Sequence, residues 1–190
     1  MKEITEIRWH GRAGQGTVSA AKLLAETALE GGLHVQAFPE YGPEREGAPL
    51  KAYNRISKET FAIYHGIDHP HVVLVVDNSL LKMGEFKEGT DEKTVFIINS
   101  PVKPEVLKGK FGLEGNRVCT VDATGISLDT VGRNIPNTPM LGALARVTGV
   151  IELDELVANL RHEFGKKFAE DMVERNVQAV QRAHEEVIEG

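Results

Sequence analysis

The sequence predicts an α/β fold: a Rossmann-like, mostly parallel but mixed sheet with helices on both faces and a C-terminal helical appendage. Three observations carry this. Short β-type runs alternate with amphipathic stretches through the first 120 residues, the pattern of strand–helix–strand crossovers. Residues 72–76 and 94–99 are short apolar runs, as expected of strands buried on both faces. Beyond Asp122 the periodicity turns wholly helical.

In order, residues 4–10 alternate, with Ile7 and Trp9 on one face and Glu6, Arg8 and His10 on the other. Residues 15–30 read as a helix with Val18, Ala21, Leu24, Ala25 and Ala28 on its apolar face, stopped by Gly31-Gly32. Residues 34–38 are a second strand. Residues 50–57 and 60–65 form an expected hairpin flanking Lys58-Glu59, which would make the sheet mixed. Residues 72–76 are the next strand, 79–87 an expected helix, and 94–99 and 117–121 two more strands. Leu153, Leu156, Val157, Leu160 and Phe164 have helical spacing up to Gly165. Val173, Val177, Val180, His184 and Val187 repeat it. These divide the chain into an α/β part, 1–150, and C-terminal helices, 151–190, expected to pack on it as one domain.

The chain has 190 residues, 41% of them hydrophobic and 26% charged, the balance of a globular domain that needs no disulfide or metal to build a core. Its only cysteine is Cys119. One thiol excludes an intrachain disulfide, a four-cysteine zinc site and an iron–sulfur cluster held by this chain alone. The net charge is −6, of which residues 1–150 carry −1 and residues 151–190 carry −5. That balance argues against nucleic acid as a partner. The N-terminus lacks the apolar core of a signal peptide, and no run approaches membrane-spanning length. A cytoplasmic protein without a membrane partner is expected.

The segment His10-Gly11-Arg12-Ala13-Gly14-Gln15-Gly16-Thr17 joins the first strand to the first helix. Free amides at a helix N-terminus attract phosphate or carboxylate, and glycines permit close approach. The spacing, G-x-x-G-x-G, is neither the dinucleotide fingerprint nor a P-loop, and no acid sits cleanly placed for a ribose. Anion binding and simple helix-on-strand packing are balanced readings of Gly14 and Gly16; Arg12 tilts the balance toward an anion.

A second loop, Phe38 to Pro49, is stiffened by three prolines and two glycines and carries Tyr41, Glu44 and Arg45. It should leave the same sheet edge as the glycine loop, so that both line one cleft. In the third segment, Ile135 to Ala145, Asn137 or Thr138 is expected to cap a helix starting at Pro139, and Gly142 and Ala143 to allow close packing. No catalytic constellation stands out. His65, His69 and His71 read as a solvated loop, not a metal site, Cys119 as an inert thiol, and His184 as a core histidine. Asp77 and Asp122 read as helix caps, with facing the cleft as the alternative.

Together the stretches Ile7 to Gly16, Phe38 to Arg45 and Ile135 to Ala143, with the Phe164-Gly165-Lys166-Lys167-Phe168 join, resemble the gamma subunit of the 2-oxoacid:ferredoxin oxidoreductases over nearly the whole chain. Overall likeness is greatest to members acting on pyruvate. The resemblance implies a multisubunit enzyme that interconverts pyruvate plus coenzyme A with acetyl-coenzyme A plus carbon dioxide. Thiamine diphosphate, magnesium and iron–sulfur clusters would lie in the alpha, beta and delta partners, electrons would pass to ferredoxin through the complex, and this chain would hold no cofactor and be inactive alone. It would dock on the thiamine-binding subunits and help shape the route of coenzyme A or substrate. Carried over, Gly11, Arg12, Gly14, Gln15 and Gly16 would face the catalytic core, Tyr41, Glu44 and Arg45 would form a second wall, and Asn137 and Thr138 would adjoin them. Ala13 stands where the family often has glycine, which implies ordinary φ there. Glu46 and Ala48 vary the usual ending of the second loop and make it a poorer phosphate site. A stand-alone nucleotide-binding oxidoreductase and a purely structural assembly subunit are the alternatives.

Overall fold

The computed structural model describes residues 4–40 and 47–190. Among the described residues seven strands form one sheet in the order β2-β3-β1-β4-β5-β6-β7. The parallel core is β1 (Ile4–Arg12), β4 (Val72–Val75), β5 (Val95–Asn99) and β6 (Arg117–Val121). At one end β3 (Pro49–Ser57) runs antiparallel to both β1 and β2 (His34–Glu40), and at the other the short β7 (Ile188–Glu189) runs antiparallel to β6.

The two faces are covered unequally. On one lie α1 (Thr17–Glu30), α3 (Ala123–Thr130), α4 (Asn137–Thr148), α5 (Leu153–Gly165) and α6 (Glu170–Glu186), sharing a single apolar cluster with Ile7, Trp9, Leu74 and Ile97 of the sheet. On the other, a smaller cluster of Val73, Val75, Phe96, Ile98 and Val118 is covered by α2 (Pro104–Phe111) and the turns around Leu81 and Phe86. The alternation in β1 decides which side chain meets which cluster. Trp9 is fully buried on the helical face and donates its indole N–H to Asn54 at 2.8 Å, as a buried indole must. Arg8 and His10 point the other way.

The C-terminal helices join the sheet's core. Gly142 of α4 passes so near the Val180 carbonyl of α6 that a Cβ there would collide with it. Val173, Val177 and Val180 of α6 are buried, while Val18 of α1, expected on the apolar face, is exposed because Thr17, Ala20 and Leu24 turn inward instead. The excess acid of this part sits outside, in exposed pairs such as Arg161–Glu174.

Several expected elements differ. The hairpin partner of residues 50–57 is β2, not residues 60–65, which form no strand. The buried Arg55 guanidinium takes the carbonyls of His65 and Gly66 at 3.1 Å, so that segment serves a cation and not a ladder. Residues 79–87 are two 3₁₀ turns, Asn78–Met83 and Glu85–Lys87, because Gly84 between them is left-handed (φ 80°). α4 begins at Asn137, two residues before the expected start, with Pro136 as its cap residue and no side-chain cap. Pro139 then sits in the first turn, where its missing N–H has no intrahelical partner to lose. The stretch after Asp122 ends in a strand as well as helices.

Candidate functional site

The carboxyl ends of β1 and β2 lie together, since Arg12 is opposite Pro49 and Glu40 opposite Lys51 on the intervening antiparallel strand. Both predicted loops therefore leave one edge. The end of the second loop is stitched to the glycine loop: Ala13 N–H donates to Ala48 O at 2.9 Å and Gly47 N–H to Ala13 O at 3.2 Å. Tyr41, Glu44 and Arg45 lie outside the described residues.

Each glycine of the first loop has a different reason. Gly11 makes room for Thr17, whose hydroxyl a Cβ would strike. Gly14 is left-handed (φ 92°), and among the described residues nothing lies within 4 Å of where its Cβ would stand. Gly16 is left-handed (φ 73°) and caps α1, and its missing Cβ would stand 2.6 Å from the side-chain nitrogen of Asn137. So Asn137 is brought to the loop as a packing neighbour, whereas Thr138 is buried behind it. Ala13 keeps negative φ, as does every described non-glycine residue.

Arg12 is engaged on three sides. Its Nη2 donates to Ser79 Oγ at 2.8 Å, Nη1 to Gly47 O at 3.0 Å, and Nε lies 3.4 Å from Asp77 Oδ2. Arg12, the residue that tilts the loop's reading toward an anion, also ties the glycine loop to the second loop and to the end of β4. Its side chain stays 30% exposed. Gln15 completes the loop. Its Oε1 accepts the Arg12 N–H at 2.9 Å and its Nε2 donates to Asp77 Oδ2 at 2.6 Å.

Asp77 caps the turn after β4, accepting Ser79 N–H at 2.9 Å, and also faces the cleft. Burial works to raise its pKa, but hydrogen bonds from Ser79 and Gln15 and the charge of Arg12 outweigh it and hold the carboxyl below its ordinary value. Facing the cleft is the alternative the sequence offers for Asp77; what it does not reveal is Ser79 and the contacts of Asp77 with Gln15 and Arg12, for which the Asp-Asn-Ser run ending a buried strand is the signal. Asp122 caps α3 through Gly125 N–H at 2.9 Å. Between the two aspartates, Asn78, Asn99, Thr124 and Asn134 line a polar cavity of about 340 Å³.

The remaining titratable groups do not converge. Among the described residues no group of three His, Cys, Asp or Glu side chains could hold a metal. His71 Nδ1 accepts the Glu6 N–H at 2.9 Å, and His69 and His65 bond to carbonyls. Cys119 is buried in β6 and its thiol is pushed up by burial, so these residues do not fit an iron–sulfur cluster. His10 lies on the opposite face of the sheet from Trp9, beside a small cavity of about 110 Å³ with Lys51 and Met83. His184 is half-buried, with its pKa lowered by burial and by Arg146. No helix among the described residues is long and apolar enough to cross a membrane.

A model of the family described as pyruvate ferredoxin/flavodoxin oxidoreductase matches residues 6–186. The chain is 47% identical over 186 residues to pyruvate synthase subunit PorC of Thermotoga maritima, covering 98% of this chain and 96% of that one. It is 39% identical over 180 residues to the pyruvate/ketoisovalerate oxidoreductases common subunit gamma of Pyrococcus abyssi, covering 95% of each. The crystal structure of the Thermotoga maritima pyruvate oxidoreductase subunit PORC (EC 1.2.7.1) superposes with a TM-score of 0.88 at 43% identity, covering 100% of this chain and 99% of that one.

Proposed function

The chain belongs to the pyruvate ferredoxin/flavodoxin oxidoreductase family, and from that premise we propose that it works as the gamma subunit of pyruvate synthase, presenting the carboxyl edge of its sheet to the thiamine-binding subunits and to coenzyme A. The observation that carries this is the stitched edge itself. Arg12 joins the glycine loop, the second loop and the end of β4 into one surface, with no described atom within 4 Å of a Cβ built at Gly14 and a partly exposed Arg12 side chain. A preformed surface of this kind binds without an ordering cost.

Thiamine diphosphate, magnesium and the clusters belong, in this reading, to the partner subunits and supply decarboxylation and electron transfer to ferredoxin in the cytoplasm. This chain's own residues bind and orient. Gly11, Arg12, Gly14, Gln15 and Gly16 form the wall toward coenzyme A, with Asn137 and Thr138 behind; Tyr41, Glu44 and Arg45 are assigned to the same wall on the family resemblance alone. A second reading, a docking surface with no coenzyme contact, draws on Arg12 being already paired with Asp77 and Ser79.

The test is Arg12→Ala in the assembled enzyme, followed by pyruvate- and coenzyme-A-dependent dye reduction. The coenzyme A KM is expected to rise about tenfold, the scale of one lost charge-assisted contact. An unchanged KM with normal assembly selects the docking reading.

A further inference from the structure

Among the described residues, Asp77 is the carboxylate that touches both Arg12 and Gln15 of the glycine loop. Its Oδ2 accepts Gln15 Nε2 at 2.6 Å and lies 3.4 Å from Arg12 Nε, while its Oδ1 is occupied by Ser79 N–H at 2.9 Å. Gln15 passes the constraint on, because its Oε1 holds the Arg12 backbone N–H at 2.9 Å and its own backbone N–H returns to Arg12 O at 3.1 Å. The loop's turn is thus closed by a side chain whose orientation is fixed from another strand. Gly47 and Ala48 hold the backbone of Ala13 from the second loop, whereas among the described residues the Gln15 side-chain amide is oriented by Asp77.

We propose that Asp77 is a positioning residue: it fixes the donor–acceptor sense of Gln15, and through it the conformation in which the glycine loop meets coenzyme A. The proposal rests on the reading above that this loop faces the coenzyme. Held by hydrogen bonds in a defined geometry, the loop keeps its amides and guanidinium aligned; released, it must be ordered at each binding event, which weakens coenzyme binding more than 2-oxoacid binding.

The test uses the assembled oxidoreductase. Asp77→Asn keeps an oxygen for the Ser79 N–H and replaces Oδ2 by an amide that cannot accept from Gln15. Its coenzyme A KM is expected to rise about tenfold, with a pyruvate KM shift below about twofold. Gln15→Met breaks the same link without touching the turn cap and should give the same rise. Combining Asp77→Asn with Gln15→Glu reverses the bond, since the introduced carboxylate accepts from both the new amide and the Arg12 N–H at unchanged total charge. That pair should bring the KM back to within about threefold of the parent. A parental coenzyme A KM in Asp77→Asn or in Gln15→Met overturns the positioning role, as does a failed rescue in an enzyme of parental thermal midpoint. Arg12→Ala run alongside separates the two ideas. If it alone raises the KM, the coenzyme-facing reading stands and the positioning role falls; if no variant raises it, both fall.

Discussion

Arg8 donates its Nε–H to Nε2 of His10 across 3.0 Å, with both side chains almost wholly withdrawn from solvent. The guanidinium also holds the carbonyls of Phe86 at 3.0 Å and Glu88 at 2.7 Å. A histidine that accepts from an arginine must be neutral. Burial first, then Arg8 and Lys51, lower the His10 pKa from 6.5 to about 3.

Acid sensitivity follows with a definite sign. Between about pH 3 and 6.5 the unfolded chain binds a proton at His10 that the folded chain refuses, so stability is full above about 6.5 and drains as pH falls toward 3. Lowering pH from 7 to 5 should cost on the order of 2 kcal/mol from this group. His10→Gln keeps an acceptor for Arg8 and does not titrate. Its urea-unfolding free energy should change less between pH 7 and 5 than the parent's by about that amount. Equal changes in the two proteins would remove His10 as the cause.

The glycine at the end of β1 is explained by a neighbour, and the explanation can be checked by removing it. A Cβ at position 11 would strike the Thr17 hydroxyl, an atom that is buried without a hydrogen-bond partner. Gly11→Ala should cost about 2 kcal/mol in unfolding free energy. In a Thr17→Ala background the same change should cost about half as much or less, because the struck atoms are gone. Additive losses in this double-mutant cycle would show that something other than the collision sets the penalty.

Close packing of α4 on α6 makes a third expectation. Gly142→Ala drives a methyl into the Val180 carbonyl, a backbone atom that can move only with its helix, and should lower stability by about 2–3 kcal/mol. Gly165→Ala in α5 meets nothing within 4 Å and should be neutral or stabilising by up to about 1 kcal/mol. Thermal midpoints of the two variants, measured side by side, check the contrast. A Gly142→Ala midpoint at or above that of Gly165→Ala contradicts it.

Most of the architecture was readable because buried strands and amphipathic helices advertise themselves through spacing. Ile7, Trp9, Val73 and Ile97 fall where apolar periodicity puts them. What was not readable depended on partners distant in sequence. Residues 60–65 look like a strand, yet their carbonyl neighbourhood is spent on Arg55, and β2 takes the place beside β3. Asn137 looks like a cap, yet Pro136 occupies that role and Asn137 instead fills the space left by Gly16. Within the site, the glycine motif and its shared edge with the second loop were legible. That Arg12 would be met by Asp77 and Ser79, more than sixty residues away in the chain, is a product of β1 lying beside β4, which no local pattern encodes.

The unequal cladding of the sheet gives the cleft two walls of different mechanical character. Gly16 and Asn137 belong to the thick side, where five helices share one cluster. Ser79 and the turns after β4 belong to the thin side, covered by one short helix and 3₁₀ segments over a much smaller cluster. Local opening costs least where few apolar groups are buried. Amide hydrogens of residues 78–90 should therefore exchange well before those of α4, and any partner pressed into the cleft meets a stiff anvil at the helix side and a compliant lip at the other. If partner subunits dock at this cleft, as proposed, conformational adjustment would be channelled into the lip while the anvil keeps its shape.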